Sequence, residues 1–155
     1  MRTGKFVLVA FLFMFLASCA PASSQGGIVV TSAEVRLPGA AMPGMSMGND
    51  ANLAGYMVIQ NTGSTDDSLI GAQADFAMAM LHETTIDANQ VATMKEVSEI
   101  PVPAGQTVEL KTGGYHVMFM NPTKELKVGD MVSITLKFKN AGTIMVQAKV
   151  VAASN

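Results

Sequence analysis

Val132-Ser133-Ile134-Thr135-Leu136-Lys137-Phe138-Lys139-Asn140-Ala141-Gly142-Thr143-Ile144-Met145-Val146-Gln147-Ala148-Lys149-Val150 carries the clearest structural signal in the chain. Val132, Ile134, Leu136 and Phe138 alternate with Ser133, Thr135, Lys137 and Lys139, the period-two pattern of a strand with one buried face. Asn140-Ala141-Gly142 supplies turn residues. Ile144, Val146, Ala148 and Val150 then alternate in the same way, so the stretch predicts a terminal β-hairpin.

Working upstream, the same short alternations recur between Gly, Pro, Asn and Asp. They predict strands near Ile28–Arg36, Gly55–Asn61, Ser68–Ala74, Met80–Ile86, Val91–Val97, Thr107–Leu110 and Tyr115–Met120. Asn61-Thr62-Gly63 and Lys111-Thr112-Gly113-Gly114 are turn chemistry. No long helical periodicity is present. Seven to nine short strands at this spacing predict an all-β, antiparallel Greek-key β-sandwich over residues 28–152. The Pro/Gly/Met-rich stretch from Leu37 to Asn52 reads as a loop.

The N-terminus sets an expected compartment. Arg2 and Lys5 precede an unbroken apolar run from Phe6 to Leu16, the pattern of a secretory signal peptide over residues 1–18 and too short to span a bilayer comfortably. Leu16-Ala17-Ser18-Cys19 resembles a bacterial lipobox, which implies lipidation of Cys19 and a membrane-anchored, extracytoplasmic protein facing the periplasm or cell exterior. Residues 19–27, including Pro21 to Gly27, read as a flexible tether. Ala20 gives no Asp-type signal for inner-membrane retention.

Cys19 is the single cysteine of the 155 residues. A lipid on it leaves no thiol for a disulfide, a zinc-thiolate site or redox chemistry. Loss of Arg2 and Lys5 leaves 8 basic against 12 acidic residues, which does not suit nucleic acid.

The chain has 13 methionines, 2 histidines and no tryptophan. A methionine ordinarily fills gaps in a core, so position must single out any other role. In Tyr115-His116-Val117-Met118-Phe119-Met120, alternation puts Tyr115, Val117 and Phe119 on an apolar face and His116, Met118 and Met120 on the other. A turn centred on Ala88 would place His82 directly opposite Met94. One imidazole and one thioether from each of two regions then make an N₂S₂ set: His82, Met94, His116 and Met118. Neutral, soft thioethers are poor ligands for Mg²⁺, Ca²⁺ or Zn²⁺ and suit Cu(I). Met42, Met45 and Met47 in the loop, with Met78, Met80 and Met120 beside the histidines, are candidate auxiliary ligands.

These motifs resemble those of the periplasmic copper chaperones of the PCu(A)C type. That family's mark is a histidine, a methionine after a ten-residue gap, twenty-one residues, then His-x-Met. Here the first gap is eleven residues, from His82 to Met94, and the second is twenty-one, ending in His116-Val117-Met118. Gly55 to Gly63, Leu81-His82-Glu83, Gly113 to Met118 and Leu126 to Asp130 are also similar. The resemblance implies a cupredoxin-like β-sandwich, with Cu(I) held near the surface by His82, Met94, His116 and Met118. It further implies delivery of copper to a cytochrome c oxidase subunit with a dinuclear copper site, often beside a thiol-bearing Sco-type protein.

Other classes bear comparison. A blue-copper carrier needs a cysteine ligand, and the chain's cysteine lies in the lipobox. A copper resistance or storage lipoprotein shares fold and methionine use. A structural or adhesive sandwich without metal needs neither histidine. The scattered acidic residues Asp66, Asp67, Asp75, Glu83 and Asp87 show no paired-carboxylate spacing. No phosphate-binding glycine loop appears, so no enzymatic activity is expected.

Overall fold

The computed structural model describes residues 27–38 and 52–152. The signal segment, Cys19, most of the tether, and Met42, Met45 and Met47 lie outside the described residues. Ten strands follow in order: β1 (Ile28–Arg36), β2 (Leu53–Asn61), β3 (Asp67–Ala74), β4 (Met78–Ile86), β5 (Ala92–Glu96), β6 (Ile100–Val102), β7 (Thr107–Leu110), β8 (Tyr115–Met120), β9 (Met131–Phe138) and β10 (Gly142–Val151). All regular elements among the described residues are strands. The architecture is the expected all-β, cupredoxin-like one.

The strands join in the order β5-β4-β8-β2-β1-β10-β9-β3-β6, with β7 also paired to β2. Every ladder is antiparallel except that of β1 with β10, which is parallel and aligns Glu34, Val35 and Arg36 with Lys149, Val150 and Val151. The inward faces meet in one core. Met57, Ile59, Val117 and Phe119 supply one side; Leu69, Ile100, Val102, Ile134, Leu136 and Phe138 supply the other. Phe76 and Phe119 pack with ring centroids 5.0 Å apart, a separation typical of a favourable aromatic pair.

Both terminal strands follow from their alternation. Val132, Ile134, Leu136, Phe138, Ala148 and Val150 are buried, and Gly142 faces Phe138 across the hairpin. Gly142 adopts the left-handed φ of 78° that closing the turn requires. The buried Asp67 carboxylate secures this turn by accepting hydrogen bonds from the Asn140 and Ala141 amides at 2.9 and 2.8 Å, and from Ser68 N at 2.7 Å.

Three strand starts lie earlier than expected: β2 at Leu53 and β4 at Met78 by two residues, and β3 at Asp67 by one. β6 is an edge strand that the alternation did not predict; its middle residue, Pro101, has no amide to donate. β2 is alternately buried, and Gly55 leaves room for the Phe119 ring of the neighbouring strand β8. A Cβ at Gly55 would stand 2.7 Å from Phe119 Cε2. This close approach holds β2 and β8 in register, with Ala54 opposite Met118.

Candidate metal site

β8 is buried inward through Val117 and Phe119, so His116, Met118 and Met120 face outward, as alternation predicts. β4 lies beside it. The register pairs His82 with His116, Met80 with Met118 and Met78 with Met120. The two histidines of the protein are therefore direct cross-strand neighbours, with ring centroids 5.9 Å apart and planes inclined by 25°. A metal–imidazole nitrogen bond is about 2 Å, so two rings bound to one ion can lie up to roughly 6 Å apart. The observed separation fits that span.

The expected pairing of His82 with Met94 is not found. His82 faces Glu96, and Met94 faces Thr84. The turn is wider than a centre at Ala88 allows. Asp87 and Val91 close the loop through Asp87 N to Val91 O at 3.0 Å, and Gln90 takes a left-handed φ of 65°. The Asp87 side chain also accepts hydrogen bonds from Asn89 N and Val91 N. These contacts centre the loop on Asn89 and slide the partner of His82 by two residues. Because the shift is even, Met94 stays on the same sheet face as His82, diagonally placed.

The outward face around His116 is walled rather than open. Although it points away from the core, His116 is only 3% exposed. The Tyr56 ring lies 6.3 Å from it, and the Arg36 guanidinium sits 4.7 Å above Tyr56. Arg36 pairs with Glu34 and donates to Thr112 Oγ1 at 3.2 Å. His116, Met118 and Met94 together border a cavity of about 400 Å³. Pro38 and Asn52, on either side of residues 39–51, border it too. Met94 is 51% exposed, so the cavity has one solvent-facing thioether. Tyr56 and Arg36 read in sequence only as outward strand positions.

The imidazole atoms suit a metal. His116 Nδ1 lies 3.1 Å from the Gly114 carbonyl oxygen. With Nδ1–H donating there, Nε2 keeps its lone pair, the usual second contact of a ligating histidine. Burial lowers the His116 pKa below its ordinary value; the Gly114 hydrogen bond opposes the shift, and the His82 charge adds to it. Burial, the largest cause, favours neutral imidazole, the form that binds metal. His82 Nδ1 is buried and has no hydrogen-bond partner among the described residues. Leaving such an atom unpaired costs about 1–3 kcal/mol, which an ion could offset. No group of three or more His, Cys, Asp or Glu side chains placed to hold a metal ion occurs among the described residues. Methionine is the donor that the outward face adds to the two histidines.

On the other face of the same strands, Lys95 pairs with Glu83 at 3.0 Å, and Glu83 faces Tyr115. Burial first, then Glu83, raises the Tyr115 pKa. These contacts tie β5, β4 and β8 together beneath the histidines.

A cupredoxin-like sandwich bearing paired histidines and thioethers on its outer face defines a domain of the PCuAC class. The chain belongs to the family described as "Putative lipoprotein LpqE-like", whose pattern matches residues 28–150. The "Putative lipoprotein Lxx21020" of Leifsonia xyli subsp. xyli is 32% identical over 152 residues, covering 92% of this chain and 86% of that protein. The copper-bound PCuAC domain from PmoF2 is 27% identical with a TM-score of 0.63, covering 84% of this chain and 97% of that one. The Cu(I)-bound solution structure of DR1885 from Deinococcus radiodurans is 34% identical with a TM-score of 0.57, covering 85% and 87%.

Proposed function

We propose that this protein is an extracytoplasmic Cu(I) chaperone that holds copper with His82, His116, Met118 and Met94 and releases it by ligand exchange. The direct opposition of His82 and His116 on an outward face is the observation that carries this reading. Cu(I) is soft and singly charged, so neutral imidazoles and thioethers satisfy it without a carboxylate. The PCuAC relatives that bind copper support the choice of ion.

The site has one sheltered side and one open side. His116 is buried beneath Tyr56, whereas Met94 stands half in solvent. A recipient's thiolate or imidazole would displace Met94 first, then Met118, leaving the histidines to release the ion last. Copper stays Cu(I) throughout: each incoming lone pair replaces an outgoing one, and no electron moves. The protein acts as a carrier and not as a catalyst. The recipient would be a copper protein of the same compartment, namely the dinuclear copper subunit of cytochrome c oxidase with or without a Sco-type partner. Lipidation at Cys19 would keep the carrier at that membrane.

Cu(I) titration of the full-length protein with X-ray absorption tests the ligand set. Bound Cu(I) with mixed nitrogen and sulfur neighbours is expected, reduced to sulfur alone in His82→Ala/His116→Ala. An oxygen-only shell, or no uptake, would overturn the assignment. Transfer is tested by mixing the loaded protein with an apo dinuclear copper domain and following the visible band of the recipient.

A further inference from the structure

Beyond the histidine pair, the β4–β8 ladder continues with sulfur. Moving away from His82 and His116, the next two opposed pairs are Met80 with Met118 and Met78 with Met120. All four methionines lie on the outward face, because Leu81, Val117 and Phe119 between them fill the core. Met78 is 58% exposed, and Met80, Met118 and Met120 are partly buried. The core therefore does not account for them.

Directly opposed residues have Cβ atoms about 4.5–5.5 Å apart. Met80 lies two residues from Met78 on the same face, diagonal to Met120. The side chain is unbranched with three rotatable bonds, so three thioether sulfurs from these positions can converge above the ladder. No charged residue interrupts the three opposed pairs from Met78–Met120 to His82–His116.

We propose that Met78, Met80 and Met120 form a second, all-thioether Cu(I) site, contiguous with the histidine pair through Met118. It deepens the Cu(I) reading of the histidine pair and rests on it for the choice of ion. Each thioether donates a lone pair to Cu(I), with no proton released and no change of oxidation state. The exposed end at Met78 receives the ion, and the Met80–Met118 pair adjoins the inner site.

The test compares full-length wild type, Met78→Leu/Met80→Leu/Met120→Leu and His82→Gln/His116→Gln, each titrated with Cu(I) supplied as its acetonitrile complex. Leucine conserves volume at the methionine positions and keeps the fold. The triple variant is expected to lose one bound equivalent while retaining a nitrogen-and-sulfur shell by X-ray absorption. The histidine variant is expected to retain copper in an all-sulfur shell that is lost when the three leucines are added. If the triple variant matches wild type in stoichiometry and sulfur count, the second site is wrong and the histidine site stands. If wild-type copper is bound by sulfur alone and the triple variant loses it, the second site stands and the histidine site is wrong.

Discussion

His82 and His116 stand directly opposite one another in the β4–β8 ladder, with ring centroids 5.9 Å apart. Replacing either by alanine should remove a ligand outright. Since loss of a group that merely supports a metal ligand already costs 10–100-fold in affinity, each substitution should weaken Cu(I) binding by roughly a hundredfold or more. A chelator-competition titration measures this. A change below about threefold for either would count against a shared ion.

Burial keeps His116 neutral at a pH where an exposed histidine is charged. The folded pKa is below the unfolded one, so the unfolded chain binds more protons between the two values. The His116 contribution to the stability of the metal-free protein should therefore be level above about pH 6.5, fall as pH drops through that value, and level off again below the folded pKa. Chemical-denaturation midpoints against pH give the profile. NMR titration of the ring should show His116 with a midpoint below 6.5, and a midpoint at or above that value would contradict the burial argument.

Met94 reaches the cavity diagonally, from opposite Thr84, and is half exposed. Met94→Leu should leave the fold intact and remove one sulfur from the copper shell. Its effect on affinity should be about tenfold, smaller than that of Met118→Leu, while copper release to a competing chelator becomes faster. Equal release rates in wild type and variant would show that Met94 does not bind the ion.

The 2.7 Å approach that a Cβ at Gly55 would make to Phe119 predicts a strained alanine. Gly55→Ala should destabilise the protein by about 1–3 kcal/mol, read as a lower denaturant midpoint. By shifting β8, it should also weaken copper binding although Gly55 touches no ligand. Full stability in this variant would show that β8 is not seated as described.

Local pattern made the terminal hairpin and the outward set His116, Met118 and Met120 legible, because side-chain alternation and turn chemistry are read within a few residues. The loop between His82 and Met94 was less legible. The left-handed Gln90 and the Asp87 side chain widened it by an amount that residue types alone do not specify. The pairing of β4 with β8 was not legible at all. Thirty-three residues and three strands separate His82 from His116, and long-range register follows from packing of the whole sheet. The same holds for the shelter that Tyr56 and Arg36 give His116. β6 escaped notice because a three-residue strand with Pro101 at its centre offers almost no alternation.

The course of β1 has a topographic consequence. Ile28 begins the strand opposite Asn61, and Arg36 ends it opposite Ala54, alongside Met118. Nine residues of strand span roughly 26 Å at about 3.3 Å per step. A lipid on Cys19, nine residues before Ile28, would join the described domain at the end of β1 that lies opposite Asn61. Nine extended residues reach about 30 Å, so such an anchor would leave the copper-bearing end free to turn toward the bilayer or toward the aqueous side.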